Sequence, residues 1–496
     1  LEPKEGKKMK TFRIKRAVVK SFGLAAALFI ATAQWIPTAA LAQGMMGGMM
    51  HNPDVKLVQE QGEYRPLRIP AILAPDEASG STRHYTLTMD EGQTVFREGT
   101  QTATLGYNGS FLGPTIMLNR GEDIRVTLRN QMSEETTVHW HGLLVPSQAD
   151  GGPHQVIDPG KDREVAFNVK QEAATLWYHP HTMGKTAEQV YYGLAGFLLI
   201  NDNSELSKDL PADYGVDDVP LAVQDRSFTR DMQLDYPGAY NPDGTLGETL
   251  LANGTIRAAF DATTELLRLR LLNGSNARIY NFRLSSGSTF VQIASDGGLL
   301  NEPVEMASLR LTPGERAEIV VSLQGMVAGE HVDLMTDDAP VLRLNVARGL
   351  RSNASVPAVL NHLPAADDNG AVDRRFVLFG MSTMASINGG VFDMHRVDEK
   401  GTPNRDEVWE VYNSPDMMGG MTHNFHLHGT QFRVLTRDGA LPPPNERGWK
   451  DTVALDAAED VRFLVRFWDE GLFMYHCHIL EHEDNGMMGQ IEITAQ

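Results

Sequence analysis

Residues 476–487 read His476-Cys477-His478-Ile479-Leu480-Glu481-His482-Glu483-Asp484-Asn485-Gly486-Met487, and Cys477 is the only cysteine among 496 residues. Successive side chains of a strand point to opposite faces, so His476 and His478 share one face while Cys477 takes the other. One soft thiolate, an imidazole five residues on and a thioether ten residues on make up most of a blue-copper electron-transfer site. Its second imidazole has to come from elsewhere in the chain.

Three more His-x-His pairs accompany this stretch: His139/His141, His179/His181 and His426/His428. Sixteen histidines scattered at random over 496 residues would give roughly half of one such pair. The last pair extends to His423-Asn424-Phe425-His426-Leu427-His428-Gly429, which supplies the absent imidazole, His423. The blue site then takes His423, Cys477 and His482, with Met487 as a long axial ligand and Met488 as the alternative one residue on. Ten motif histidines overfill a structural zinc site, which takes four ligands. His51, His84, His154, His331, His362 and His395 lie outside the motifs and read as ordinary core or surface residues.

In this order, His139-Trp140-His141-Gly142, His179-Pro180-His181, the His423–Gly429 stretch and His476–Met487 resemble the four copper motifs of the multicopper oxidases. The likeness runs from about residue 60 to the end. Asp150-Gly151-Gly152-Pro153, Gly448-Trp449-Lys450-Asp451-Thr452 and His482-Glu483-Asp484 make it similar to bacterial periplasmic laccases and copper-efflux oxidases.

The N-terminus reads as an export signal. A basic stretch ending at Lys20 precedes an apolar run from Phe22 to Ala33, and Ala40-Leu41-Ala42 is a small-x-small cleavage site. Gln34 and Pro37 interrupt the run before it reaches the roughly twenty residues of a membrane span. Residues 1–42 are therefore read as a signal peptide, with 1–8 a possible upstream extension before Met9, and Lys15-Arg16 as a weakened twin-arginine signal. A periplasmic or secreted monomer is expected, with no stable membrane insertion after cleavage. Cleavage discards eight basic and two acidic residues and moves the formal net charge from −20 to −26, which argues against a nucleic-acid partner. One cysteine excludes an internal disulfide.

The remaining length suits three domains, and an internal repeat agrees. Val126–Asn130, Leu269–Asn273 and Trp409–Asn413 are short alternating strands, each ending in a turn-favouring Asn, spaced 143 and 140 residues apart. A second set, Glu164–Phe167, Glu318–Val321 and Val461–Phe467, follows them, the first two members after Pro159-Gly160 and Pro313-Gly314. The middle repeat continues as His331-Val332-Asp333-Leu334-Met335 without paired imidazoles, so it reads as a spacer. Short β-branched strands between Gly and Pro turns predict an all-β chain. The resemblance makes the domains three cupredoxin-like Greek-key β-barrels, placed at 43–205, 206–365 and 366–496. Domains 1 and 3, which carry the copper motifs, are expected to meet at a shared site.

The resemblance also implies the ligand sets and the chemistry. His139 and His426 would hold a type 2 copper; His141, His179 and His478 would hold one type 3 copper, and His181, His428 and His476 the other. With the type 1 copper this gives four per chain. The implied reaction couples one-electron oxidation of a phenolic or cuprous-ion reductant to four-electron reduction of O2 to water. Asp150 and Glu483 resemble acids that deliver protons near the cluster; a loop Asp before Gly-Gly also suits a plain turn. Asp416-Met417-Met418 next to His423, together with Asp393, offers thioethers and carboxylates to a substrate cuprous ion. Met45, Met46, Met49, Met50 and His51 read as a copper-gathering tail or as plain flexible sequence. Residues 355–385 lack the long Met-rich insertion of copper-efflux oxidases, which favours bulky phenols. Two other classes remain: a copper-free cupredoxin-like envelope or division scaffold, against which all ten motif histidines and Cys477 argue, and copper nitrite reductase, which has fewer copper motifs.

Overall fold

The computed structural model describes residues 55–237, 244–366, 370–417 and 419–495; the expected signal peptide, the Met-rich stretch through His51 and Met418 lie outside them. The sequence repeat is a repeat of topology. In the strand Asp123–Asn130, Ile124, Val126 and Leu128 are buried while Asp123 and Arg125 are exposed, the alternation of a sheet with one wet face. This strand lies between a parallel neighbour, Thr82–Thr94, and an antiparallel one, Asp162–Asn168. Leu266–Asn273 sits in the same way between Asp218–Arg226 and Arg316–Ser322. Asp406–Ser414 repeats the arrangement between Arg374–Phe379 and Asp460–Arg466. Parallel neighbours need a crossover and not a hairpin, so each unit is a Greek-key sandwich.

Each repeat strand carries, at or one residue before its end, a buried Asn that joins separate segments. Asn130 donates to the carbonyls of Glu134 and Ile157, Asn273 to those of Arg278 and Leu311, and Asn413 to those of Met421 and Leu455. Buried carbonyls left unpaired would destabilise the sandwich ends; the amide is used as a bridge as well as a turn.

The facing sheets of the first and third sandwiches carry the histidines. In the first, the order is Ile116–Asn119, Gly196–Asn201, Ala174–His179, His139–His141; in the third, it is Glu399–Gly401, Met488–Ile493, Gly471–His476, His423–Leu427, Thr452–Leu455. Their apolar filling includes the fully buried Trp140 and Trp409. The stretch Leu57 to Ile69 packs with the middle sandwich: Arg65–Pro66 pairs with Ala258 and Ala259, and Leu67 joins that core. Two short helices, Thr186–Tyr192 and Leu480–Asp484, meet between the first and third sandwiches. The Asp484 carboxylate accepts the Thr186 and Ala187 amides at 3.0 and 2.9 Å, so it caps the other helix's N-terminus from outside.

Candidate metal centre

Strand register puts the imidazoles side by side. His139 pairs with His179 across the strands His139–His141 and Ala174–His179, and His426 pairs with His476 across His423–Leu427 and Gly471–His476. Where the two sandwiches face each other, the donor atoms fall into groups whose members all lie within 4.8 Å: His139/His141/His426, His141/His179/His478, and His181/His428/His476. All eight residues are buried. Burial first, and crowding by neighbouring rings second, holds His139, His141, His179, His428, His476 and His478 well below the usual imidazole range; His181 falls to about 3, chiefly by burial. These seven rings are thus neutral, the state that ligates metal.

The hydrogen bonds fix which nitrogen is offered. Nδ1 donates to a backbone carbonyl in His139 (Asp150), His179 (Pro180), His426 (Asp451) and His476 (Cys477), at 2.8–3.0 Å. Their Nε2 atoms therefore carry lone pairs toward the shared space. His141 is reversed: its Nε2 lies 2.9 Å from Asp451 Oδ1, and its Nδ1 faces His179 Nε2 at 3.4 Å. Nε2 of His139, Nε2 of His426 and both nitrogens of His478 are buried without a hydrogen-bond partner. His476 Nε2 lies 3.1 and 3.0 Å from Nε2 of His181 and His428. Lone pairs this close repel unless a cation sits among them, so the donor set fits metal ions held by imidazole, as copper is.

Cys477 turns to the other side, into the third core. Its Sγ lies 3.7 Å from His423 Nδ1 and 3.8 Å from His482 Nδ1, and the three form a fourth buried group. Burial pushes the thiol up to about 12, so a thiolate here requires a bound cation. His423 Nε2 donates to the Gly380 carbonyl at 3.0 Å, which leaves Nδ1 for the sulfur side. Met487 shares the buried cluster of Cys477, whereas Met488 packs on Phe392 and Met474. The Cys477 amide donates to the Met487 carbonyl at 3.1 Å, closing the turn. This donor set, two imidazoles, a thiolate and a nearby thioether, fits copper.

Both expected acids are buried beside the histidines. Asp150 Oδ2 lies 2.8 Å from His428 Nδ1, and burial pushes its carboxyl up to about 8. Glu483 has one oxygen 3.4 Å from His181 Nδ1 and the other 3.2 Å from His476 Nδ1, and burial raises it well above the usual carboxylate range. Acids that hold a proton near neutrality suit proton delivery.

The expected substrate-copper residues are less gathered. The Asp393 carboxylate accepts its own turn's His395 amide, and its carbonyl accepts from Gln490. Asp416 accepts the Gly420 amide at 2.9 Å, and Met417 is fully exposed. Phe379, Met384 and Val391 are exposed apolar residues on the segments around Gly380 and Asp393.

Several contributors carried no assigned role in the sequence. Asn424 accepts the His478 amide at 2.6 Å and donates to Thr312 Oγ1 and the Pro313 carbonyl; its place between His423 and His426 was the available signal. Asp451 and Thr452 touch both His141 and His426. Arg316, in the middle sandwich, binds Asp451 and carried no signal, being one more charged residue after a Pro-Gly turn.

Residues 88–205 and 363–496 match two family models, each described as multicopper oxidase. The multicopper oxidase Mco of Staphylococcus haemolyticus is 42% identical, covering 90% of this chain and 97% of its own. The crystal structure of a laccase from Pediococcus acidilactici superposes with a TM-score of 0.86 at 43% identity, covering 89% of this chain and 96% of that one. The cell division protein FtsP of Salmonella typhimurium is 32% identical, with 87% and 93% covered.

Proposed function

The chain belongs to the multicopper oxidase family, and from that premise we propose a laccase-like enzyme that oxidises phenols, and cuprous ion where the Asp393 and Asp416 loops admit it. The observation that carries this reading is the pair of donor groups joined through one backbone stretch: Cys477 sits with His423 and His482, while His476 and His478 on either side of it reach the eight-histidine groups. A copper-free scaffold has no use for lone pairs buried without donors.

We assign to a type 1 copper His423, Cys477, His482 and Met487, which would hold it, and to a type 2 copper His139 and His426. His141, His179 and His478, and His181, His428 and His476, would hold the type 3 pair. When bound there, the coppers supply single-electron acceptance at the sulfur site and four-electron reduction of dioxygen among the imidazoles. Four substrate molecules each lose one electron, and dioxygen takes four electrons and four protons to give two waters. Cys477 is bonded through the backbone to both His476 and His478, so the route between the groups is covalent. Asp150 and Glu483 hold protons beside His428, His181 and His476. Burial of every ligand excludes bulk water from the relay. The exposed apolar side chains Phe379, Met384 and Val391 favour an aromatic reductant.

The signal-like residues 1–42 favour export to the periplasm or medium, where the chain would work as a monomer. No described helix is long and apolar enough to cross a membrane. Copper analysis together with steady-state rates on cuprous ion and on a dimethoxyphenol, from one fully metallated preparation, tests the proposal. About four coppers per chain and phenol turnover are expected; a copper-free, inactive protein would return the chain to the scaffold class.

A further inference from the structure

The middle sandwich, read from sequence as a spacer, reaches the histidine groups at two points. Gly314, at φ +82°, lies flat against His478: a Cβ there would meet the imidazole at 3.0 Å. Two residues on, the fully buried Arg316 donates from Nη1 and Nη2 to Asp451 Oδ1 and Oδ2 at 2.7 and 2.6 Å. The same guanidinium donates to the carbonyls of Thr175, Gly314 and Asp296 at 3.0 Å each, so all three sandwiches converge on it. Asp296 in turn accepts the Arg316 amide and pairs with buried Lys450 at 2.9 Å.

Asp451 is the residue that makes His141 differ from its neighbours. Both Asp451 oxygens accept from the Arg316 fork, and Oδ1 faces His141 Nε2 at 2.9 Å as an acceptor, so the His141 hydrogen sits on Nε2 and the lone pair on Nδ1. Nδ1 is the nitrogen turned toward His179, within the His141/His179/His478 group.

We propose that Arg316 is a positioning residue for the trinuclear copper site: its two-pronged grip on Asp451 sets the His141 tautomer, so the copper-free middle sandwich decides whether the His141/His179/His478 group can bind metal. A guanidinium fork matches both carboxylate oxygens at once, and a lysine ammonium cannot. With the fork lost, Asp451 is free to rotate and His141 can protonate on Nδ1, which removes it as a ligand.

The inference rests on the copper assignment proposed above, and the test separates the two. Copper per chain, the blue absorption band and the type 2 electron paramagnetic resonance signal are measured for the parent, Arg316→Lys, Asp451→Asn and a control, Arg268→Lys. Arg268 is also buried in the same sandwich but binds Glu318, away from Asp451. Arg316→Lys and Asp451→Asn are expected to keep the blue band and lose copper from the histidine groups, with a changed type 2 signal; Arg268→Lys keeps both. Nitrogen-15 NMR of copper-free parent protein reads the tautomer directly, with His141 protonated on Nε2 where His139, His179, His426 and His476 are protonated on Nδ1. Four coppers and an unchanged type 2 signal in Arg316→Lys, parallel losses in Arg268→Lys, or Nδ1-protonated His141 in the copper-free parent would each overturn the inference. A parent that takes up no copper would instead overturn the copper assignment. If neither variant folds, the NMR measurement on the parent decides alone.

Discussion

Asp150 Oδ2 lies 2.8 Å from His428 Nδ1 although the two residues are 278 positions apart. The Asp150 carbonyl accepts His139 Nδ1 at 2.9 Å. One loop residue therefore touches an imidazole from each of two sandwiches, and its carboxyl keeps a proton to about pH 8 because it is buried. Asp150→Asn retains the carbonyl contact and the side-chain shape but removes the titratable proton. Turnover is expected to fall on the order of 100-fold, while anaerobic reduction of the blue copper by substrate keeps its parent rate. Unchanged turnover across the working pH range would leave Asp150 a turn residue only.

Cys477→Ser removes the soft donor of the sulfur site, and the hydroxyl that replaces it is a poor copper ligand. The blue band and all substrate oxidation are expected to vanish, with about three coppers retained, since the eight other imidazoles lie in groups of their own. Copper analysis beside the visible spectrum checks this; a variant with no copper would give Cys477 a structural role instead.

The donor groups were legible because the chemistry needs rare residue types at fixed short spacings, and a strand converts such spacing directly into faces. Cys477 turning from His476 and His478 is alternation and nothing more. The three-fold repeat was legible because each repeat strand ends in an Asn; that Asn130, Asn273 and Asn413 bridge buried carbonyls was not, because the carbonyls belong to residues as far as 42 positions away. Arg316 acts across sandwiches, and nothing local marks a residue whose partner is set by how two domains dock. Leu57 to Ile69 illustrates the same limit: a strand of two residues, Arg65–Pro66, has no periodicity, and its pairing with Ala258 is decided by the sheet it joins.

Met487 and Met488 are adjacent, yet only Met487 shares the cluster of Cys477. Replacing a weak axial sulfur with a hydrocarbon destabilises the cupric state, so Met487→Leu is expected to raise the type 1 potential, with faster oxidation of poor reductants. Met488→Leu should leave the potential unmoved. Redox titration of the blue band decides; a shift in Met488→Leu alone would move the axial assignment by one residue.

Acid stability has an identifiable source between the first and middle sandwiches. Burial would raise the Glu318 carboxyl, but Arg268 and Arg270, with the Thr175 hydroxyl donating at 2.7 Å, more than offset this and bring it to about 2. A folded value below the unfolded one of about 4.3 means the stabilisation is present above pH ~4.3 and is lost as pH falls toward 2, a contribution of about 3 kcal/mol. Glu318→Gln leaves the buried Arg268 without its carboxylate partner, while Arg270 keeps Asp218, and a loss on the order of 3–5 kcal/mol at neutral pH is expected. Denaturant unfolding at pH 7 and pH 3 checks both statements; the gap between parent and variant should narrow at the lower pH.

Substrate choice can be tested on loops that leave the copper ligands intact. A metal-ion substrate needs its own coordinating groups, whereas a phenol needs only an apolar surface close to a type 1 histidine. Asp416 also holds the Gly420 amide, three residues before His423, so truncating it would disturb the loop as well as the charge. Asp416→Asn keeps an acceptor oxygen for that amide, and Asp393→Ala removes the exposed second carboxylate. The double variant is expected to lose cuprous oxidation by on the order of 10-fold or more while phenol oxidation stays near the parent rate, since each lost charge-assisted contact is worth about 1.5–3 kcal/mol before solvent screening. Steady-state rates on both reductants, with the blue band as a check on the type 1 site, give the answer. Equal losses on both would mean that these carboxylates support the loops around His423 and that cuprous ion has no site of its own here.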